Sequence, residues 1–172
     1  MVIISSKRFI LRPFRKGDEK SLMKNINNRT IAQNTLRIPY PYKLKNARWW
    51  INHNLKLNRK KKKTEINFAI TVKGEVIGGI GLDRIYGHSA EIGYWLGKEY
   101  WGQGIMTETV KLVTKYGFEK LGLRRIYAFA FPSNKASVGV LKNAGFEYEG
   151  KLRKHVKKGN KFLDDLLFAK VK

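Results

Sequence analysis

The chain changes its hydropathy period across a pair of glycines, and that change constrains its fold more than any other feature. Residues 90–97, AEIGYWLG, alternate in the manner of a strand. From Gly104 the apolar positions Met106, Val110, Val113, Gly117 and Leu121 step by three or four, which predicts a helix of about four turns with one apolar face. KEYWGQ lies between the two. A strand that passes through a glycine turn into a helix makes an anion site by simple physics. The first helical amides have no internal partner, and the helix dipole adds partial positive charge there. Gly102 and Gly104 carry no side chain to obstruct a pyrophosphate approaching the backbone. Glycines before a helix are also common, so the turn alone does not decide between anion site and simple turn. It is not the dinucleotide fingerprint, because Thr107 stands where the third glycine is required, and no Gly-Lys-Ser/Thr follows to make a P-loop.

The flanking segments supply a sheet and further helices. KRFILRPF reads as a first strand, at an edge because it contains Pro13. Asp18 is placed to cap a helix carrying Leu22 and Ile26, and Ala47, Ile51 and Leu55 mark a second helix that ends in a basic run. INFAITV and EVIGGIGLDRIY form a hairpin about Lys73-Gly74, RRIYAFAF is a strand, and SNKASVGVLKNAG is a helix capped by Ser133 or Asn134 and ended by Gly145. Two strands joined at KKGN close the chain. The sum is mixed α/β, with a mostly antiparallel sheet and no internal repeat or linker; residues 1–172 are expected to form one domain.

Composition excludes several chemistries. With no cysteine there is no disulfide, thiolate metal site or cysteine nucleophile, and His53, His88 and His155 lie too far apart for a local metal motif. His53 and His88 are expected at the surface. No apolar stretch approaches the ~18 residues that span a bilayer, and the first residues flow into a strand, so a cytoplasmic protein without membrane association is expected. The net charge of +23 is unevenly spread. Residues 1–67 carry 18 basic and 3 acidic side chains, residues 111–172 carry 15 and 5, and residues 68–110 carry 3 and 5. Basic flanks suit a polyanion such as RNA, although many such lysines serve only as solvated surface.

The order EIGYWLG, KEYWGQGIM, helix, RRIYAFAF, N-x-x-S and GFEYEG resembles the GNAT family of acetyl-CoA-dependent N-acetyltransferases. The nearer resemblance is to the branch that acetylates ribosomal-protein N-termini, carried by Leu11–Phe14, Ala90–Leu96, Tyr100–Glu108, Asn134–Gly150 and Asp165–Ala169. It implies a sheet of about seven strands flanked by about four helices, with a splay between the fourth and fifth strands. It implies acetyl-CoA as cosubstrate, no metal, and an amine acceptor such as a protein N-terminus. The backbone of Trp95 and Leu96 would pair with the pantetheine amides, and the amides of Trp101, Gly102, Gln103, Gly104, Ile105, Met106 and Thr107 would hold the pyrophosphate. Asn134 would contact the pantetheine arm. Lys142 would reach the adenosine end, or stand as an ordinary solvated lysine.

Two positions depart from the family pattern. Met106 stands where a small residue is usual, so either the loop shifts or the side chain turns into the core. Lys142 stands where many members carry a tyrosine that protonates the leaving thiolate. Glu91 shares a strand face with Gly93 and Trp95, opposite Ile92, Tyr94 and Leu96, and is the carboxylate nearest the expected reaction. It is either a general base with a raised pKa or a carboxylate held in a salt bridge. Ser137 holds the family's place for a hydroxyl near the thioester sulfur, or else bonds back to its own helix. The acceptor could instead be a small amine, and a rival reading is an RNA- or ribosome-binding protein on the same fold with catalysis lost. Monomer and homodimer are both open.

Overall fold

The structure, a computed structural model, describes residues 2–172. One eight-stranded sheet organises it: β1 (Ile4–Ser5), β2 (Ile10–Arg12), β3 (Ile66–Val72), β4 (Glu75–Tyr86), β5 (Ser89–Leu96), β6 (Arg125–Ala130), β7 (Glu147–Lys158) and β8 (Lys161–Val171). Their spatial order is β1-β2-β3-β4-β5-β6-β8-β7. Every neighbouring pair is antiparallel except β5 and β6. Five helices accompany the sheet: α1 (Glu19–Ile26), α2 (Arg29–Gln33), α3 (Leu44–Arg59), α4 (Ile105–Lys120) and α5 (Lys135–Asn143). The additions to the expected count are β1, of two residues, and α2, of five. Neither is long enough to display a hydropathy period.

Helices cover both sheet faces, and alternation along the strands assigns each face its core. One cluster packs Ile80, Ile92, Val110, Val113, Ile126 and Leu141 beneath α4 and α5. The other packs Phe14, Leu22, Ile26, Ala47, Ile51 and Val76 beneath α1 and α3. Each fully buried aliphatic side chain of this kind contributes about 1.5–3 kcal/mol. β5 serves both clusters: Ile92, Tyr94 and Leu96 join the first, and Trp95 joins the second.

Two expectations about the first elements are corrected. The first strand ends at Arg12, short of Pro13, and β1 covers its outer side, so it is not the sheet edge. Asp18 does occupy the N-cap position of α1, yet its side chain makes no cap bond. Both carboxylate oxygens accept from the Arg12 guanidinium, at 2.7 and 2.8 Å, and one also accepts from the Arg15 amide. Arg12 is itself buried, and a buried guanidinium claims a carboxylate more strongly than an exposed amide does.

The parallel pair sets up the site. β5 and β6 are in register only at Ser89 with Arg125, Ala90 with Ile126 and Glu91 with Tyr127. Beyond Glu91 the strands part, leaving Ile92–Leu96 without a strand partner on that side. This is the splay expected between the fourth and fifth strands, which become β5 and β6 once β1 is counted. No helix among the described residues is long and apolar enough to cross a membrane.

Candidate active site

The splay opens a cleft of about 830 Å³. Its first wall is β5 from Glu91 to Leu96; its second is formed by Phe129–Phe131, the first turn of α5, and His155 and Asp165 of the terminal hairpin. Strand alternation sorts these groups by face. Tyr94 lies on the α4–α5 face, while Glu91 and its parallel partner Tyr127 lie on the α1–α3 face, together with Phe129, whose ring packs at a tilt against His155, centroids 4.8 Å apart. The cleft therefore passes through the sheet. Residues from α2 to Ile38 line its α1–α3 end. There the hairpin is tied to α2 by Lys158, whose ammonium donates to the carbonyls of Ala32, Gln33 and Thr35.

At the α4–α5 end stands the glycine turn. Gly102 and Gly104 both take left-handed φ, 73° and 74°, where a side chain would be strained. A Cβ on Gly102 would meet nothing within 4 Å, so the turn is open at that point, just before the 16-residue α4. Trp101, Gly102, Gly104, Ile105, Met106 and Thr107 all line the cleft. Met106 is buried in the core beneath α4, so its bulk is turned away from the loop surface. The Trp101 indole donates to the Leu96 carbonyl at 2.7 Å and ties the loop to the end of β5. Gly79, on β4, is needed for the opposite face: a Cβ there would lie 2.6 Å from the Trp95 indole nitrogen.

On the second wall, Asn134 caps α5 by accepting from the Ser137 amide, and both residues line the cleft. The Ser137 hydroxyl meets the Tyr94 phenol at 2.9 Å and does not turn back on its own helix. Burial pushes the Tyr94 phenol up to about 12 despite that hydrogen bond, so it keeps its proton at neutral pH. Glu91 has both an ion-pair partner and a raised pKa. Arg84 Nη1 lies 3.0 Å from its Oε2, yet that buried oxygen has no aligned hydrogen-bond donor. Burial raises the carboxyl above its ordinary value and outweighs the lowering effect of Arg84; the charge of Asp83 adds to the rise.

Two residues are placed apart from the rest. Lys142 is exposed on α5 and does not line the cleft, and Gln103 turns its side-chain amide to the Glu99 carbonyl. His88 is exposed as expected, but His53 is half-buried, stacked on Trp49 and Trp50 with Glu65 at 3.3 Å. Sequence reading also missed several site residues. Arg8 reaches 95 residues along the chain to donate to the Gln103 carbonyl at 2.7 Å, and it pairs with Glu108. Arg84, His155 and Asp165 come to the cleft through strand irregularities and long-range pairing, which leave no local pattern. Only Tyr94 had a signal: an alternating strand aims it at the same face as the helix start. No group of three or more His, Cys, Asp and Glu among the described residues could hold a metal ion.

The cleft is thus cut through a mixed sheet, with a glycine-lined helix start at one end and a desolvated carboxylate at the other. The chain belongs to the acetyltransferase (GNAT) domain family, whose profile matches residues 8–147. It is 39% identical over 109 residues to an uncharacterized N-acetyltransferase, p20, of Bacillus licheniformis, and the match covers 61% of each chain. The chain thus spans about three fifths of that relative's length. A spermidine N(1)-acetyltransferase of Escherichia coli is 26% identical over 144 residues, 83% of this chain and 74% of its own. RimL, a ribosomal L7/L12 alpha-N-protein acetyltransferase solved with coenzyme A, superposes with a TM-score of 0.88 at 22% identity, covering 99% of this chain and 98% of its own.

Proposed function

We propose that this protein transfers an acetyl group from acetyl-CoA to a primary amine, the N-terminal α-amine of a protein such as a ribosomal protein. The observation that carries this reading is the through-sheet cleft, with an anion cradle at one end and a desolvated carboxylate at the other. Acetyl-CoA, when bound, supplies the acetyl group as a thioester. The amides from Trp101 to Thr107 hold its pyrophosphate, the unpaired backbone at Trp95 and Leu96 receives the pantetheine arm, and Asn134 borders it. Lys142 takes no contact in this reading beyond the adenosine end. An ammonium acceptor must give up two protons to become an amide. Glu91 takes the one shed as nitrogen bonds to the acetyl carbon, and the raised pKa suits it to that exchange. Ser137 gives a proton to the departing sulfur and regains one from Tyr94, bonded to its hydroxyl; water reprotonates Tyr94 and takes the proton that Glu91 holds, which closes the cycle. The tyrosine missing beside Leu141 is thereby replaced by one on β5.

The RimL likeness supports a protein N-terminus as acceptor, and the net charge of +23 disfavours a small polycation. The spermidine acetyltransferase among the relatives favours a second reading, a polyamine acceptor. Incubation with labelled acetyl-CoA, alanine- and serine-initiated peptides and spermidine, read by free thiol release and mass spectrometry, separates them. Label on peptide N-termini is the expected result. Label on spermidine alone would move the acceptor to the second reading, and no thiol release with any amine would sink acetyl transfer.

A further inference from the structure

We propose that His155, held by Asp165, is the base that takes the first proton from the acceptor ammonium. This rests on the acetyl-transfer reading, and it adds a group that lies beyond residues 8–147 of the family match.

Asp165 is 3% exposed, and among the described residues its carboxylate has one hydrogen-bond partner, Nδ1 of His155 at 2.8 Å. A carboxylate buried with a single partner is expensive to desolvate, so the chain commits a costly group to orienting one imidazole. With Nδ1 engaged, Nε2 is free on a ring that lines the cleft and keeps about a third of its side chain exposed, 35%. The backbone is bent to present it. Between Leu152 and Val156 the β7–β8 register shifts, and Lys154 is held at a φ of 50°. Arg84, which reaches Glu91 from β4, sits at the same kind of shift with a φ of 51°. A left-handed non-glycine residue thus stands beside a cleft side chain at each of these two shifts.

Carboxylates face the imidazole across the cleft and from β8, with cations around them. Asp165 holds it from β8, and Glu91, itself under the influence of Asp165, stands across the cleft on β5. Arg84 of β4 is turned to Glu91 and Arg37 pairs with Asp83; Lys135 of α5 borders the cleft, and Lys154 and Lys157 flank His155 on its own strand. Phe129, packed on the ring, is uncharged.

Amine nitrogen has no lone pair until its ammonium proton leaves. His155 Nε2 takes that proton, the N–H electron pair stays on nitrogen, and the imidazolium is stabilised through Nδ1–H by Asp165. The proton then leaves to water from the exposed ring edge. Glu91 takes the second proton as the new C–N bond forms, and Ser137 supplies the one the sulfur gains.

His155→Gln tests this, assayed with whichever of the alanine-initiated peptide, the serine-initiated peptide and spermidine the wild type acetylates. An α-amine of ordinary pKa near 8 is only about one-tenth neutral at pH 7, so an enzyme reduced to the neutral form loses about tenfold in kcat/KM there. The deficit should shrink to less than twofold as pH rises above the acceptor's own pKa, with acetyl-CoA affinity unchanged by calorimetry. Asp165→Asn should show the same pH-dependent deficit. A deficit equal at every pH, no deficit, or a loss confined to acetyl-CoA affinity would overturn the assignment while leaving acetyl transfer standing. Absence of wild-type turnover with all three acceptors would remove both.

Discussion

Glu91 is the residue at which stability and chemistry oppose each other. Its folded pKa lies above the unfolded value because burial penalises the charge. Below the ordinary carboxyl pKa of about 4.3 the group is neutral in both states and has no effect; as pH rises through the folded pKa, ionisation costs stability. Glu91→Gln is therefore expected to melt above the wild type at pH 7, and the two melting curves should coincide near pH 4. The same variant should lower kcat by about a hundredfold while acetyl-CoA affinity stays within twofold, read by stopped thiol release and calorimetry. Tyr94→Phe removes only the phenol that meets Ser137. We expect a roughly tenfold lower kcat from it with the acceptor KM unchanged, since the donor chain to sulfur is shortened without reshaping the cleft. An unchanged kcat would confine Tyr94 to packing.

At the scale of elements, the start of α4 depends on a residue from the other end of the chain. Arg8 props the Gln103 carbonyl and neutralises Glu108, whose own carboxyl Arg8 holds below its ordinary range. Arg8→Ala should weaken acetyl-CoA binding about tenfold by calorimetry, which is ~1.4 kcal/mol. It should cost less than about 1 kcal/mol in urea denaturation, because the pair is largely exposed. A stability loss with affinity intact would make the contact purely structural. This contact also marks where sequence reading stops. INFAITV and EVIGGIGLDRIY read as strands, and Ile66–Val72 and Glu75–Tyr86 are those strands, because alternation and a two-residue hairpin are local. The glycine turn into α4 was legible for the same reason: glycines, strand and helix are contiguous. Met106 was legible as a departure, but only its packing under α4 decides between a shifted loop and a core side chain. Arg8 on Gln103, Arg84 on Glu91 and His155 on Asp165 join distant or bulged positions, and no period in the chain encodes a bulge. Asp18 shows the converse, a correct local position whose side chain was claimed by Arg12 from the neighbouring strand.

Over the whole molecule, the cleft is lined in part by residues 68–110, which carry 3 basic and 5 acidic side chains, and in part by flanks carrying 18 and 15 basic ones. If those flanks engage RNA around a ribosomal acceptor, turnover on intact ribosomes should fall about tenfold between 50 and 200 mM salt, the cost of about two phosphate contacts. Turnover of a free peptide should stay within a factor of two over the same range. Equal salt responses for the two acceptors would leave the basic surface without a part in recruitment. The clasp made by Lys158 sets a different limit, one of girth. It joins positions as far apart as 126 residues into a belt along the α1–α3 end of the cleft. The belt cannot widen without giving up three hydrogen bonds to one ammonium. Under the proposed acetyl transfer, an acceptor broader than this end of the cleft would have to break that clasp to enter.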